Sequence, residues 1–443
     1  MSAVLTRLFS AWDRANIRYL VLRNYELLPE HTENDIDILL DPAQLHPARK
    51  LLEQAARQEG WTIHNLGHFS CTALFLYNLQ TLEQIHLDLM CGAKWYSFFF
   101  ADHSLMLESR LPHKNFFRPA PVHETAVLLL TRLLYGGRVK EKYRETIRRS
   151  ASDSRHELTE VLSPWLGGSL SRRIVEHAAA GQWEAIEAQA AMVRINVLLA
   201  NLRHPLRLVR SMVSDVDRLV RRWRSSPGLS VVFSGPDGCG KSSVAGGLKV
   251  RLLKTFYPER TIHCHWKPVP QRGTTPPAED PHGQPPRNQI ISLLYFGYHY
   301  AAFIFGWWRY IKPVLFRNGF AVIDRYYYDF FVDQRRYRLS LPPWIVRLGF
   351  IFIKKPDLVF CLDADPEILQ ARKQEVSFEE CQRQREAYRA LVQKLPNGHV
   401  IDASQPLADV VRDVQAAVLN YMAARTAGRM AVMEWCYRKG STR

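Results

Sequence analysis

Paired cysteines are missing from this chain of 443 residues. Its seven cysteines stand scattered at positions 71, 91, 239, 264, 361, 381 and 436. A disulfide framework needs closely matched pairs, so a small stapled fold is excluded and a reducing, cytoplasmic setting is expected. The short run His263-Cys264-His265 is a poor zinc site, because alternate residues of a strand point to opposite faces. Acidic residues are also in short supply. There are 43 Asp and Glu against 59 Lys and Arg, a formal charge of +16, which points to anionic partners: nucleotides, nucleic acid, acidic lipid or acidic glycan. The charge does not choose among them. The first ten residues lack the basic start and apolar core of a signal peptide.

Charge of either sign is absent from residues 290–308, a stretch apolar enough to pass as a membrane span. It holds Ser292, His299 and three tyrosines, and it stands between two candidate strands of one α/β region. A spanning helix would set those strands on opposite sides of a bilayer. The expectation is therefore a buried helix lining a ligand pocket or a subunit interface.

What is present begins with length and an apolar share of 47%, enough for two or three globular domains. Residues 231–233 form a β-rich run, residues 235–242 spell G-x-x-x-x-G-K-S, and helix-compatible residues continue to Leu253. Strand, glycine loop and helix in this order make a phosphate loop. Gly235, Gly238 and Gly240 let the backbone fold tightly, so that the N–H groups through Cys239 and Ser243 converge on phosphate oxygens. The helix start adds its dipole. Lys241 is placed for the β- and γ-phosphates and Ser242 for Mg²⁺, so ATP with Mg²⁺ is the expected cofactor.

Before this loop, a short helix over 3–16 and a strand over 19–22 lead to Asp35-Ile36-Asp37. Period-two alternation puts Asp35 and Asp37 on one face of a strand. Asp88 lies in a second apolar strand, and carboxylates brought together hold their charge best around a divalent cation. Residues 121–225 read as helical. Leu206, Val209, Val213, Val216, Leu219, Val220 and Trp223 form one stripe of the last helix, with arginines opposite. A membrane-surface helix has this pattern; the expectation is a solvated connecting helix packed against its own domain. Residues 225–228 break the pattern. The expected domains are 1–120, 121–225, 226–425 and a tail over 426–443. After the phosphate loop, candidate strands at 261–266, 319–323, 357–362 and 399–402 alternate with helices, as in a parallel sheet flanked by helices. The loop over 267–288, rich in proline, reads as a substrate cover or lid.

Two resemblances follow from these residues. Asp35, Asp37 and Asp88 on strands resemble the minimal nucleotidyltransferase fold of the DNA polymerase beta type. There three carboxylates hold two Mg²⁺ ions, which would make Asp35, Asp37 and Asp88 metal ligands. The family's Gly-Ser pair is replaced by Arg23-Asn24. The phosphate loop together with Asp324-Arg325-Tyr326, residues 356–366 and residues 400–406 resembles the thymidylate kinases over about residues 229–420. That likeness implies an α/β phosphate-loop kinase that moves the γ-phosphate of ATP to a nucleoside monophosphate. It implies Lys241, Asp324, Arg325 and Arg372 as catalytic, Ser242 and Asp324 at the metal, Asp237 on the acceptor's sugar hydroxyl, and a homodimer. The family's Arg-Glu-Pro-Gly-Gly segment is absent, and His265-Trp266-Lys267-Pro268 stands in its place. A sugar or glycan-linked acceptor in surface-polysaccharide synthesis stays open as an alternative, as does a nucleotide-gated binding protein. Peripheral membrane contact is compatible with the charge; nucleic acid is not the expected partner.

Overall fold

In the C-terminal half, five short runs of β-branched and aromatic residues become five parallel strands. They are β10 (Leu229–Ser234), β11 (Thr261–His265), β12 (Phe320–Asp324), β13 (Leu358–Asp363) and β14 (Gly398–Asp402), in the order β11-β12-β10-β13-β14. Every residue of β10 and β12 is buried, as expected where helices cover both faces of a parallel sheet. The structure, a computed structural model, describes residues 1–441 except 33, 82, 253–254, 257, 270–283 and 375; the side chains of 258 and 433–441 are also left out. Most of the proline-rich loop over 267–288, with Asp280, Pro281 and His282, lies outside the described residues.

The chain divides into two compact units. Unit 2 is Trp223–Arg425, and unit 1 is Met1–Arg222 together with Thr426–Arg443. Unit 1 holds a sheet in the order β1-β2-β5-β4-β3. Its strands are β1 (Tyr19–Val21), β2 (Ile36–Leu40), β3 (Trp61–His68), β4 (Thr72–Asn78) and β5 (Gln84–Met90). Only β2 and β5 are parallel neighbours. Two hairpins follow, β6 (Lys94–Trp95) with β7 (Phe98–Phe99) and β8 (Leu111–His113) with β9 (Phe116–Arg118).

Alternation along the strands divides the sheet's two faces. Ile36, Ile38 and Leu40 of β2 and Ile85, Leu87 and Leu89 of β5 join a core with Leu8, Phe9 and Trp12 of the helix Ser2–Arg14 and Leu52 of the helix Leu45–Gln58. The opposite face, which carries Asp37, Asp88 and Leu39, meets the helical region; Leu39 shares a core with Leu129, Leu133, Ile147, Leu162 and Ile174. Helices between Pro121 and Leu202 thus share a core with this sheet, and the expected regions 1–120 and 121–225 fall largely in one compact unit. The expected tail begins inside a helix, and its described start packs in unit 1. One helix runs Leu407–Ser441, the Thr426 hydroxyl donates to the His64 carbonyl at 3.1 Å, and Met430 is buried in the unit 1 core.

Two apolar helices depart from expectation. The helix Gln289–Gly306 buries Ser292, Phe296, Phe303 and Gly306 along one stripe, yet Ile290, Leu294, Tyr298 and Phe305 are exposed. By length and composition the stretch Gln289–Phe316 could cross a membrane, but its buried stripe packs within the core that holds Ile323 and Tyr327, between β11 and β12 of one sheet. The helix Pro205–Arg224 was expected to lay its apolar stripe on its own domain. Its buried residues are instead Leu208 and Ser211, and the stripe faces outward. The face that packs carries Leu208, Ser211 and Asp215, whose carboxylate accepts from the Ser97 hydroxyl at 2.5 Å.

Candidate active site

β10 ends at Ser234, and the chain turns through Gly235 at φ 139° and Gly238 at φ 85° before the helix Lys241–Arg251. A Cβ at Gly235 would lie 2.9 Å from the Leu362 carbonyl oxygen, and one at Gly238 would lie 2.8 Å from that of Leu369. Glycine is required at both points, by backbone angle and by space. Lys241 folds over this turn, its Nζ donating to the carbonyls of Gly235 at 2.9 Å and Pro236 at 2.8 Å.

The neighbouring strand supplies the acid. Parallel pairing sets Phe233 beside Asp324, so Asp324 reaches the carboxyl edge of the sheet next to the loop. The Ser242 hydroxyl donates to Asp324 Oδ2 at 3.1 Å, and His263 Nε2 lies 3.1 Å from the same oxygen. Oδ1 of Asp324 is buried without a hydrogen-bond partner. Burial pushes the Asp324 carboxyl up, but His263, Lys241 and Ser242 outweigh it and hold the group below its ordinary value. A charged carboxylate with one buried, unpartnered oxygen beside a serine hydroxyl is an oxygen donor set that suits Mg²⁺.

Arg325 follows in a left-handed conformation, φ 64°, which is uncommon for a side chain of this size. Its amide is fixed by the Phe233 carbonyl at 2.8 Å, and its buried guanidinium turns onto Asp237 of the phosphate loop. The other Asp237 oxygen accepts from Arg336 Nη1 at 2.6 Å. One carboxylate at the mouth of the loop therefore orients two guanidinium groups. Behind them Asp329 is fully buried, 3.8 Å from Arg325 Nε, and accepts hydroxyl hydrogen bonds from Tyr337 at 2.8 Å and Tyr388 at 3.0 Å. Burial raises the Asp329 carboxyl; Arg325 and the two tyrosines oppose that rise.

Beyond the arginines lies an aromatic wall. Trp266 stacks on Tyr337 with ring centres 4.2 Å apart, and His299 meets the indole edge-on at 4.6 Å. Trp266 Nε1 and His299 Nδ1 are both buried without partners. Burial, with help from Lys267 and Arg287, pulls His299 down to about 4.

The thymidylate kinase family model matches residues 233–414. Unit 2 carries a thymidylate kinase domain. Among solved structures, a thymidylate kinase from Ehrlichia chaffeensis is similar at 19% identity, over 42% of this chain and 97% of that one, with a TM-score of 0.31. No curated protein matches the chain.

Within the thymidylate kinase domain, Gly235, Asp237, Gly238, Cys239, Gly240, Lys241, Ser242, Ser243, Asp324 and Arg325 come together around one turn. Arg372 does not join them: it is exposed, and its guanidinium donates to the Ala403 carbonyl at 3.1 Å. Arg336, Asp329, His263 and Trp266 were not read as site residues. Asp329 carried a signal, since a lone carboxylate within Tyr326-Tyr327-Tyr328-Asp329-Phe330 must find a buried cation. Arg336 stands in an arginine-rich run just past Asp324-Arg325, but only folding shows that it meets Asp237.

In unit 1, Asp37 and Asp88 are register partners across β2 and β5. Arg23 Nε donates to Asp37 at 2.6 Å. His86 lies between Asp35 at 2.7 Å and Asp88 at 3.0 Å. Burial works against protonation of His86, but the hydrogen bonds and charges of Asp35 and Asp88 prevail and push it up to about 9. The three aspartates thus share one edge, but with a guanidinium and an imidazole among them. No group of three His, Cys, Asp or Glu side chains among the described residues converges as a metal set.

Proposed function

We propose that unit 2 is an ATP-dependent phosphotransferase whose acceptor is a nucleoside monophosphate. The observation that carries this reading is the Asp237–Arg325–Arg336 cluster beside Lys241. A protein that only binds ATP needs the loop and its lysine, whereas phosphoryl transfer needs further positive charge where negative charge develops on the migrating group's oxygens. Backbone N–H groups of residues 235–243 would hold the donor phosphates, and Lys241 would exchange its loop carbonyls for β- and γ-phosphate oxygens. Ser242 and Asp324 would hold Mg²⁺, which when bound neutralises charge on the β- and γ-oxygens. Arg325 and Arg336 would clamp the transferred and acceptor phosphates, with Asp237 setting their direction. Trp266 and Tyr337 would face the acceptor. The test is ADP release by the purified chain against a panel of nucleoside monophosphates. A response limited to one of them, lost in Lys241→Ala, is expected; no stimulation by any member would overturn the nucleotide acceptor.

A second acceptor class is favoured by one observation. The residues at the acceptor side, His265 to Pro268, place an indole with an unpartnered buried N–H beside the arginines, and a sugar ring presents both an apolar face and hydroxyl acceptors to such a group. Stimulation by a sugar or glycan with none by nucleotides would select this reading.

For unit 1 we propose a nucleotidyltransferase-like domain with weak or altered activity. The β2–β5 pairing of Asp37 with Asp88 supports it; Arg23 and His86 among the carboxylates oppose full metal-dependent transfer. Calorimetry on the Lys241→Ala chain tests it: nucleotide binding lost in Asp37→Asn is expected, and no binding at all would sink the reading.

A further inference from the structure

The helix Pro205–Arg224 wears its apolar side chains outward. Leu206 is 75% exposed, Val209 56%, Val213 63% and Val216 60%. At about 100° per residue these four and Val220 fall within roughly 80° of arc, and Met212 and Leu219 widen it on one side. The residues that the helix buries, Leu208 and Ser211, lie on another face. A soluble surface helix does the reverse, keeping its apolar stripe inward and its charges in water.

One flank of this stripe is rich in arginines, with Asp217 among them paired to Arg221 at 2.8 Å. Arg210 is exposed and follows Val209 directly. Arg207 is also exposed, its guanidinium over the rings of Phe99 at 5.1 Å and Trp165 at 5.7 Å. At the start of the same helix is a cavity of about 760 Å³, lined by Lys94, Arg203, Arg207 and Arg210, with His103 and His204. Among the described residues no aspartate or glutamate lines it, and Leu206 belongs to both cavity and stripe. Four cationic side chains beside an outward apolar face match the two halves of one chemistry: a phosphate headgroup with its acyl chain. A second copy of this chain, at +16, would bring like charge to that face.

We propose that the helix Pro205–Arg224 docks unit 1 on the surface of an anionic bilayer. Its stripe enters the acyl boundary with the helix lying flat, and the basic cavity takes a lipid phosphate. The protein would then work at the membrane face.

The experiment is co-sedimentation of the full chain with vesicles of phosphatidylcholine alone and with added phosphatidylglycerol. Binding to the anionic vesicles is expected to be about tenfold or more the stronger, and to fall with salt. Val209→Ser/Val213→Ser/Val216→Ser should abolish it. Arg203→Gln/Arg210→Gln should weaken it about fivefold per arginine and flatten the salt dependence. An unchanged far-ultraviolet circular dichroism spectrum and an unchanged melting transition of unit 1 in each variant report that it has folded. Equal sedimentation of the serine variant and the parent would overturn the proposal, as would absence of vesicle binding. So would a dimer in solution that the serine variant turns into a monomer, since the stripe would then be covered by a second copy.

Discussion

Both units bring aspartates to the edge of a sheet, yet the two edges are built for different ends. At the unit 2 edge, Asp324 is held by Ser242 and His263 on one oxygen, and its other oxygen is buried with no partner. At the unit 1 edge, Arg23 and His86 lie directly on the carboxylates. The contrast extends to the arginines. Arg325 and Arg336 are oriented by Asp237, a loop residue, with Asp329 behind Arg325, so the guanidinium groups stay at the mouth of the phosphate loop. Arg23 instead neutralises the carboxylate that the fold would otherwise offer to a cation. Carboxylates on strands therefore do not by themselves make a metal site; Asp324 adds a serine hydroxyl at the start of a helix, whereas Asp37 meets a guanidinium.

That comparison can be broken by substitution. The largest effect belongs to Lys241→Ala, which should lower ATP turnover by at least about 10²-fold while leaving the melting of unit 1 unchanged; steady-state ADP release checks it. Arg325→Ala should come next. It strands Asp329, which is fully buried, and breaking such a pair costs about 3–5 kcal/mol. Urea unfolding should show that loss, and Asp329→Asn in the same chain should restore part of the stability without restoring turnover. If stability returned without the second change, the pair would be idle.

Smaller effects come from histidines that titrate in opposite senses. His86 is raised to about 9 in the folded chain against an ordinary 6.5, so its contribution is fully present below pH 6.5 and is lost as pH rises through about 9. Because Asp35 is nearly half exposed, solvent screening reduces the effect to roughly 1–2 kcal/mol. His299 is lowered to about 4, so its contribution is present above pH 6.5 and fades as pH falls toward 4. Melting curves followed from pH 4 to 10 should show unit 1 softening at the alkaline end and unit 2 at the acid end, with His86→Gln removing the first trend and His299→Gln the second. Matching trends in both units would show that the histidines do not set them.

Much of the phosphate-loop site was legible because its geometry is local. Glycine at 235, 238 and 240, a lysine and a serine at fixed spacing, an apolar strand before them and a helix after leave the backbone few alternatives. The Asp324-Arg325 pair was legible for the same reason, as the polar end of an apolar strand. Arg336 and His263 were not, because each reaches the site from an element whose distance from it is set by strand order. The outward stripe of Pro205–Arg224 was equally hidden: period 3.6 reveals that a helix has an apolar face but not what that face meets.

The sequence by itself determined the strands of the C-terminal sheet, the strands that carry Asp37 and Asp88, and the phosphate loop, since these follow from periodicity, backbone freedom and short-range spacing; the strands Trp61–His68 and Thr72–Asn78 came only with the fold. Only the tertiary structure decided which charges meet. It put Arg23 and His86 on the unit 1 aspartates, Asp237 between Arg325 and Arg336, and the valines of residues 209–216 in solvent. Such pairings depend on strand register and helix rotation, where a shift of one residue turns a side chain to the opposite face.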